Sequence, residues 1–129
     1  MTRIEAINQF KEMRKGQPFD EKTLVRWLSD FEGQVYNEVI LTHKDSEGIS
    51  YNPFSRLDKS YESDKNLPLL IPEPYSKVYI YYLLSKADFH LNEMERYVYS
   101  HGEFEKAYDK FKKYYHSRHA PAVHYTLKV

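Results

Sequence analysis

The most regular hydrophobic pattern lies late in the chain, where Met94, Tyr97, His101, Phe104, Tyr108, Phe111 and Tyr115 step alternately by three and four. Such a heptad seam predicts a long helix over about 92–118, with Asn92 as its N-cap and Gly102 as a local weakness. A second stripe runs through Leu24, Trp27, Leu28, Phe31, Val35, Val39 and Ile40. It predicts a helix over about 20–42, capped by Asp20, with Glu21 near the positive helix end. Gly33 sits inside it, which fits either close approach by another helix or a slight bend. Ile4, Ile7, Phe10 and Met13 predict a shorter helix over about 3–15. Thr2 and Glu5 have capping-box spacing at its start, and Gly16, Gln17 and Pro18 stop it. Over about 74–90, Val78, Tyr79, Tyr81, Tyr82, Leu83, Leu84 and Ala87 are apolar or aromatic nearly all round, the mark of a helix buried on several sides.

Two segments break this pattern. Residues 43–70 lose the helical period and are punctuated by Gly48, Asn52, Pro53 and Pro68, so they read as a long irregular loop. Within it, ISYNPF offers a short strand or hairpin arm. After Pro121 the chain alternates: Val123, Tyr125, Leu127 and Val129 share one side of an extended segment. The expected fold class is therefore all-α: a small four-helix bundle over 1–119, with the loop at 43–70 and an extended arm at 120–129. Leu24, Trp27, Leu28, Phe31, Val35, Tyr82, Leu83, Phe104 and Phe111 are the expected packing residues.

Composition sharpens the picture in three ways. Lys and Arg number 19, as do Asp and Glu, so the formal net charge is zero. That balance argues against a protein built chiefly to coat nucleic acid. The 129 residues contain no cysteine, which removes disulfides, thiolate metal sites and cysteine nucleophiles. Thirteen tyrosines are many for this length, and tyrosine suits protein interfaces because it buries area while keeping a polar tip. No run approaches the roughly 20 apolar residues of a membrane span. MTRIEAINQF lacks a signal-peptide core, so synthesis and use in the cytosol, or in a particle assembled there, is expected.

Candidate chemistry is sparse. His116 and His119 have a spacing that puts two imidazoles on one helix face, but no third ligand has recognisable spacing, so no metal site is expected. His101 reads as a core or interface histidine. Ser29–Asp30 and Asp88–His90 are fragments of a triad without a GxSxG elbow or a glycine-rich phosphate loop. The acid pairs Asp20/Glu21 and Glu93/Glu95 are explained by helix N-termini. No catalytic residue and no cofactor is assigned. Lys106, Lys110, Lys112, Lys113 and Arg118 gather toward the end of the last helix among Tyr108, Phe111, Tyr114 and Tyr115. This basic-aromatic stretch reads either as a face for DNA or for a partner, or as cations favoured at a helix C-terminus.

Three stretches together resemble a known family: RWLSDFEGQVYNEVILTH (26–43), LPLLIPEPYSKVYIYYLLSKADFHLNEMERYVY (67–99) and FEKAYDKFKKYYHSRHAP (104–121). They are similar to small head–tail connector, or adaptor, proteins of tailed phages of Gram-positive bacteria. The resemblance implies a non-enzymatic virion protein, assembled in the host cytoplasm. It would form a homo-oligomeric ring, a dodecamer in the family pattern, beneath the portal protein. It would link the DNA-filled head to the stopper or tail-completion protein and surround the DNA exit channel, with non-specific contact to genomic DNA and no membrane partner. It also implies docking of the C-terminal arm on the portal. The alternation of Val123, Tyr125, Leu127 and Val129 after Pro121 gives that docking a mechanism, strand addition to a sheet edge on another chain. The loop at 43–70 departs most from the family. The competing reading is a small helical nucleic-acid-binding or regulatory phage protein that uses the basic-aromatic end of the last helix.

Overall fold

In the first helix, α1 (Arg3–Met13), the Thr2 side chain accepts from the Glu5 backbone N–H at 3.2 Å. The Thr2 N–H donates in return to Glu5 Oε1 at 2.8 Å, completing the expected capping box. These hydrogen bonds hold the Glu5 carboxyl below its usual range. The helix ends at Met13, and Gly16 follows with φ +81°, a left-handed conformation that glycine adopts without strain. Ala6, Ile7 and Phe10 are buried, whereas Met13, expected on the same stripe, is 53% exposed.

The computed structural model describes residues 1–40, 66 and 68–118, and within these the chain is a bundle of four helices. The second, α2 (Glu21–Val35), opens at Asp20, whose carboxylate accepts from Thr23 N–H at 2.9 Å and is held below its usual range chiefly by that bond. Leu24, Trp27, Leu28, Phe31, Val35, Val39 and Ile40 are all buried, as their spacing predicts. Burying each large side chain contributes about 1.5–3 kcal/mol, so this stripe anchors the fold. Beyond Val35 the helix widens into a π-helical segment, Tyr36–Ile40. Gly33 lies just before that change, and its carbonyl shares the Tyr36 N–H with that of Glu32.

α3 (Lys77–His90) packs against all three other helices, most extensively against α4 (Met94–Arg118). Val78, Tyr79, Ile80, Leu83, Leu84 and Ala87 are buried, and Tyr82 is half-buried. The central position expected of this helix is thus realised, although it starts at Lys77 rather than near Pro74. Its C-terminus closes in a Schellman turn. Asn92, at φ +60°, donates its N–H to Phe89 C=O at 3.1 Å, and Glu93 donates to Asp88 C=O at 2.9 Å. Asn92 therefore terminates α3 instead of capping α4. Tyr97 N–H bonds to Glu93 C=O at 2.9 Å, so Glu93 is the residue that opens α4.

The expected seam on α4 holds over its second half only. Phe104, Tyr108, Phe111 and Tyr115 are buried, but Met94 is 48% exposed. Tyr97 and His101 are only partly covered. Near the turn, Ser100 takes the buried position and donates to Asp88 Oδ2 at 2.9 Å. The end of the expected loop is pinned to the bundle. Leu69 N–H donates to Met1 C=O at 2.9 Å, and Thr2 and Pro68 form an isolated antiparallel bridge. The ISYNPF arm and the arm expected at 120–129 lie outside the described residues.

Candidate interaction surfaces

Two buried carboxylates set the frame. Asp88 is fully buried and receives Arg14 Nε on Oδ1 at 3.2 Å and Arg14 Nη2 on Oδ2 at 3.0 Å. With Ser100 it ties the end of α1, the end of α3 and the start of α4 into one polar knot. Glu32, 2% exposed, accepts from Leu70 N–H at 3.0 Å and from Tyr79 O–H at 2.5 Å. Tyr79 Oη in turn accepts from Ile71 N–H at 2.8 Å. This latch holds the chain before α3 against α2 and leaves these buried groups satisfied. The burial of both acids runs against expectation, since charged residues are seldom fully buried, and the sequence offers Asp88 only as a triad fragment with His90. A signal existed: Glu32 lies on the Leu24–Leu28–Val35–Val39 stripe, four residues after Leu28.

An aromatic cluster around Phe31 underlies a broad groove. Phe31 stacks on Tyr82 with ring centroids 4.7 Å apart and meets Phe104 and Tyr108 edge-on at 5.3 and 5.2 Å. The groove, about 600 Å³, runs between the α2–π segment, α3 and α4, and its rim includes Phe89, Tyr97, Glu38, Glu105 and Asp109. Tyr108 donates to Glu38 Oε1 at 2.9 Å. Burial, then that carboxylate, pushes the Tyr108 hydroxyl far above its usual range. Burial, with a smaller contribution from the Asp30 charge, pushes Tyr82 up to about 12. Neither tyrosine is poised to ionise near neutrality. His101 is not a core residue: it stacks on Tyr97 at 5.2 Å, with Nε2 3.5 Å from Glu105.

The basic set at the end of α4 divides between two sides. Lys112 lies in the large groove, 3.6 Å from Asp109 and with Nζ 4.6 Å from the Tyr108 ring centroid. Lys106 and Lys110 lie on the opposite flank, where a smaller groove of about 220 Å³ also includes Lys77, Tyr75 and Tyr81. Lys113 is exposed, and the Arg118 guanidinium sits 5.2 Å from the Tyr114 ring centroid. Pro121, Val123, Tyr125, Leu127 and Val129, the expected docking arm, lie outside the described residues, as does His119. His116 is exposed near the end of α4. Among the described residues no group of three or more His, Asp or Glu is arranged to hold a metal ion, and no helix is long and apolar enough to cross a membrane.

The α3–α4 corner is unlike the rest of the surface. Phe89, Leu91, Met94, Val98 and Tyr99 are 53, 38, 48, 72 and 61% exposed, and exposed Met13 lies with Tyr99 along a neighbouring groove. Isolated exposed apolar residues are ordinary, whereas several of them around one turn are the kind of surface that a partner can cover. The molecule is thus defined as a helical bundle with two hydrogen-bonded buried carboxylates and an apolar corner. Comparison with known proteins finds no matching family model, no matching curated protein and no matching solved structure.

Proposed function

We propose that this chain is a structural assembly protein that works as a ring-forming head–tail connector. In this reading copies close into a ring beneath a portal, join the head to the stopper or tail, and surround the DNA exit channel. The observation that carries the assembly role is the apolar corner of Phe89, Leu91, Met94, Val98 and Tyr99, which the bundle leaves in water. A ring needs heterologous contacts between unlike faces of each copy, and closure makes many modest contacts act together. The buried ties at Asp88 and Glu32 suit that work, since they fix the helices that present the corner. The resemblance supplies the partner, the portal protein, and the arm at 120–129 as the segment that docks there.

Electron microscopy of the protein at high concentration, alone and with a portal assembly, tests the reading. Closed annuli of uniform copy number, seated on portals, are expected. Monomers alone under both conditions contradict it. The nucleic-acid reading predicts instead a DNA affinity that falls steeply with salt and is lost when Lys106, Lys110 and Lys113 are changed to Glu.

A further inference from the structure

Two exposed stripes on α4 complement one another. At 3.6 residues per turn, Met94, Val98, Glu105 and Asp109 fall along one stripe, and Tyr99, Lys106 and Lys110 along another, roughly a third of a turn away. All seven are exposed. The acidic end of the first stripe, Glu105 and Asp109, lines the large groove together with Glu38, and Phe89 lines it on the side of the α3–α4 turn. The second runs from Tyr99 to Lys106 and Lys110, and Lys77 joins it from the start of α3. Both stripes therefore grade in the same direction, apolar beside the α3–α4 turn and charged farther along, but with opposite sign.

Internal partners do not cancel the contrast. On the acidic side Glu38, Glu105 and Asp109 stand against Lys86 and Lys112. On the basic side Lys77, Lys106 and Lys110 stand against Glu103. The pairs Lys112–Asp109 at 3.6 Å and Lys106–Glu103 at 3.4 Å are short-range surface pairs, which bind their charges weakly.

Resting on the ring-forming reading above, we propose that the Met94–Val98–Glu105–Asp109 stripe of one copy receives the Tyr99–Lys106–Lys110 stripe of the next. The occupant of each face is a second copy of this chain. Shared gradient direction decides the symmetry. With α4 lying along the ring axis, the α4 helices of neighbouring copies run side by side in the same direction, so apolar meets apolar and acid meets base. An antiparallel two-fold contact would set acid against apolar. The contact is heterologous and self-propagating, as ring closure requires.

Charge reversal tests this in the full chain. One variant carries Glu105→Lys and Asp109→Lys, the other Lys106→Glu and Lys110→Glu. Each alone loses self-association at least about tenfold, because like charges then face each other. A mixture of the two recovers it, since every contact in an alternating assembly is again complementary. A cysteine readout is independent of affinity. In this cysteine-free chain, Asp109→Cys and Lys110→Cys carried by separate molecules and mixed give a disulfide-linked dimer on oxidation, and neither variant alone does. Assembly that survives both reversals, or dimers of a single-cysteine variant, overturns the pairing and leaves a ring-forming protein standing. A wild-type chain that never associates overturns both.

Discussion

The latch at Glu32 and the corner at Phe89–Val98 invert the usual rule in opposite directions. At the latch, a carboxylate and a tyrosine hydroxyl are buried, with Leu70, Ile71 and each other as hydrogen-bond partners. At the corner, Val98 is 72% exposed and Tyr99 61%. The difference separates two kinds of requirement. A buried polar group must be satisfied within the chain, because leaving it unpaired costs roughly 1–3 kcal/mol. An exposed apolar group costs the monomer little and gains only when something covers it. The first is therefore a device of the fold, the second, in the ring-forming reading proposed above, of assembly, and substitutions at the two regions should affect different measurements.

The sharpest break is expected on the polar side. Arg14→Ala leaves the buried Asp88 carboxylate with Ser100 alone and should cost about 3 kcal/mol in chemical denaturation. Glu32→Ala removes the acceptor of both the Leu70 N–H and the Tyr79 O–H, with an expected loss of about 2–4 kcal/mol. Tyr79→Phe removes the hydroxyl that joins Glu32 to Ile71 and should cost about 1–2 kcal/mol. None of these removes an exposed apolar residue, so association measured per folded molecule should change little.

Alkaline titration probes the aromatic cluster between the two regions. Tyr82 and Tyr108 both ionise later in the fold than in the unfolded chain, Tyr82 near 12. A raised folded value means that the unfolded chain loses its protons first. Their contribution is thus complete below pH 10 and is lost as pH rises from about 10 through the folded values. Ultraviolet titration should show delayed phenolate formation, accompanied by unfolding at the alkaline end. Tyrosinate absorbance rising in a single unshifted step near pH 10, with the fold intact, would count against the buried cluster.

At the corner the smallest stability effect goes with the largest effect on assembly. Met94→Gln with Val98→Gln keeps good helix formers at exposed positions and should change stability by no more than about 0.5 kcal/mol. It should weaken self-association at least about tenfold.

Much of the helical frame was legible in the sequence, because Thr2, Asp20 and the Leu24–Val39 stripe carry local signals that the fold does not override. The half of α4 near the turn misled. A heptad states which residues share a stripe, but Met94, Tyr97 and His101 lack the cover that Phe104 to Tyr115 receive. Asn92 misled because the same residue suits an N-cap and a left-handed turn, and only the bonds to Phe89 and Asp88 decide between them. Glu32 and Asp88 were hidden because their partners, Leu70 and Arg14, are distant in sequence, and no local pattern records such pairing. The basic cluster was visible as composition, but helical geometry, not proximity in sequence, separates Lys112 from Lys106 and Lys110.

Assembly through the corner requires that its exposed apolar residues meet another copy. Sedimentation velocity over a wide concentration range, comparing wild type with the Met94→Gln, Val98→Gln double variant, tests this most directly. Wild type should shift to larger species as concentration rises, while the variant stays monomeric and melts within a few degrees of wild type. Equal association of the two proteins would contradict the account, as would a double variant that fails to fold.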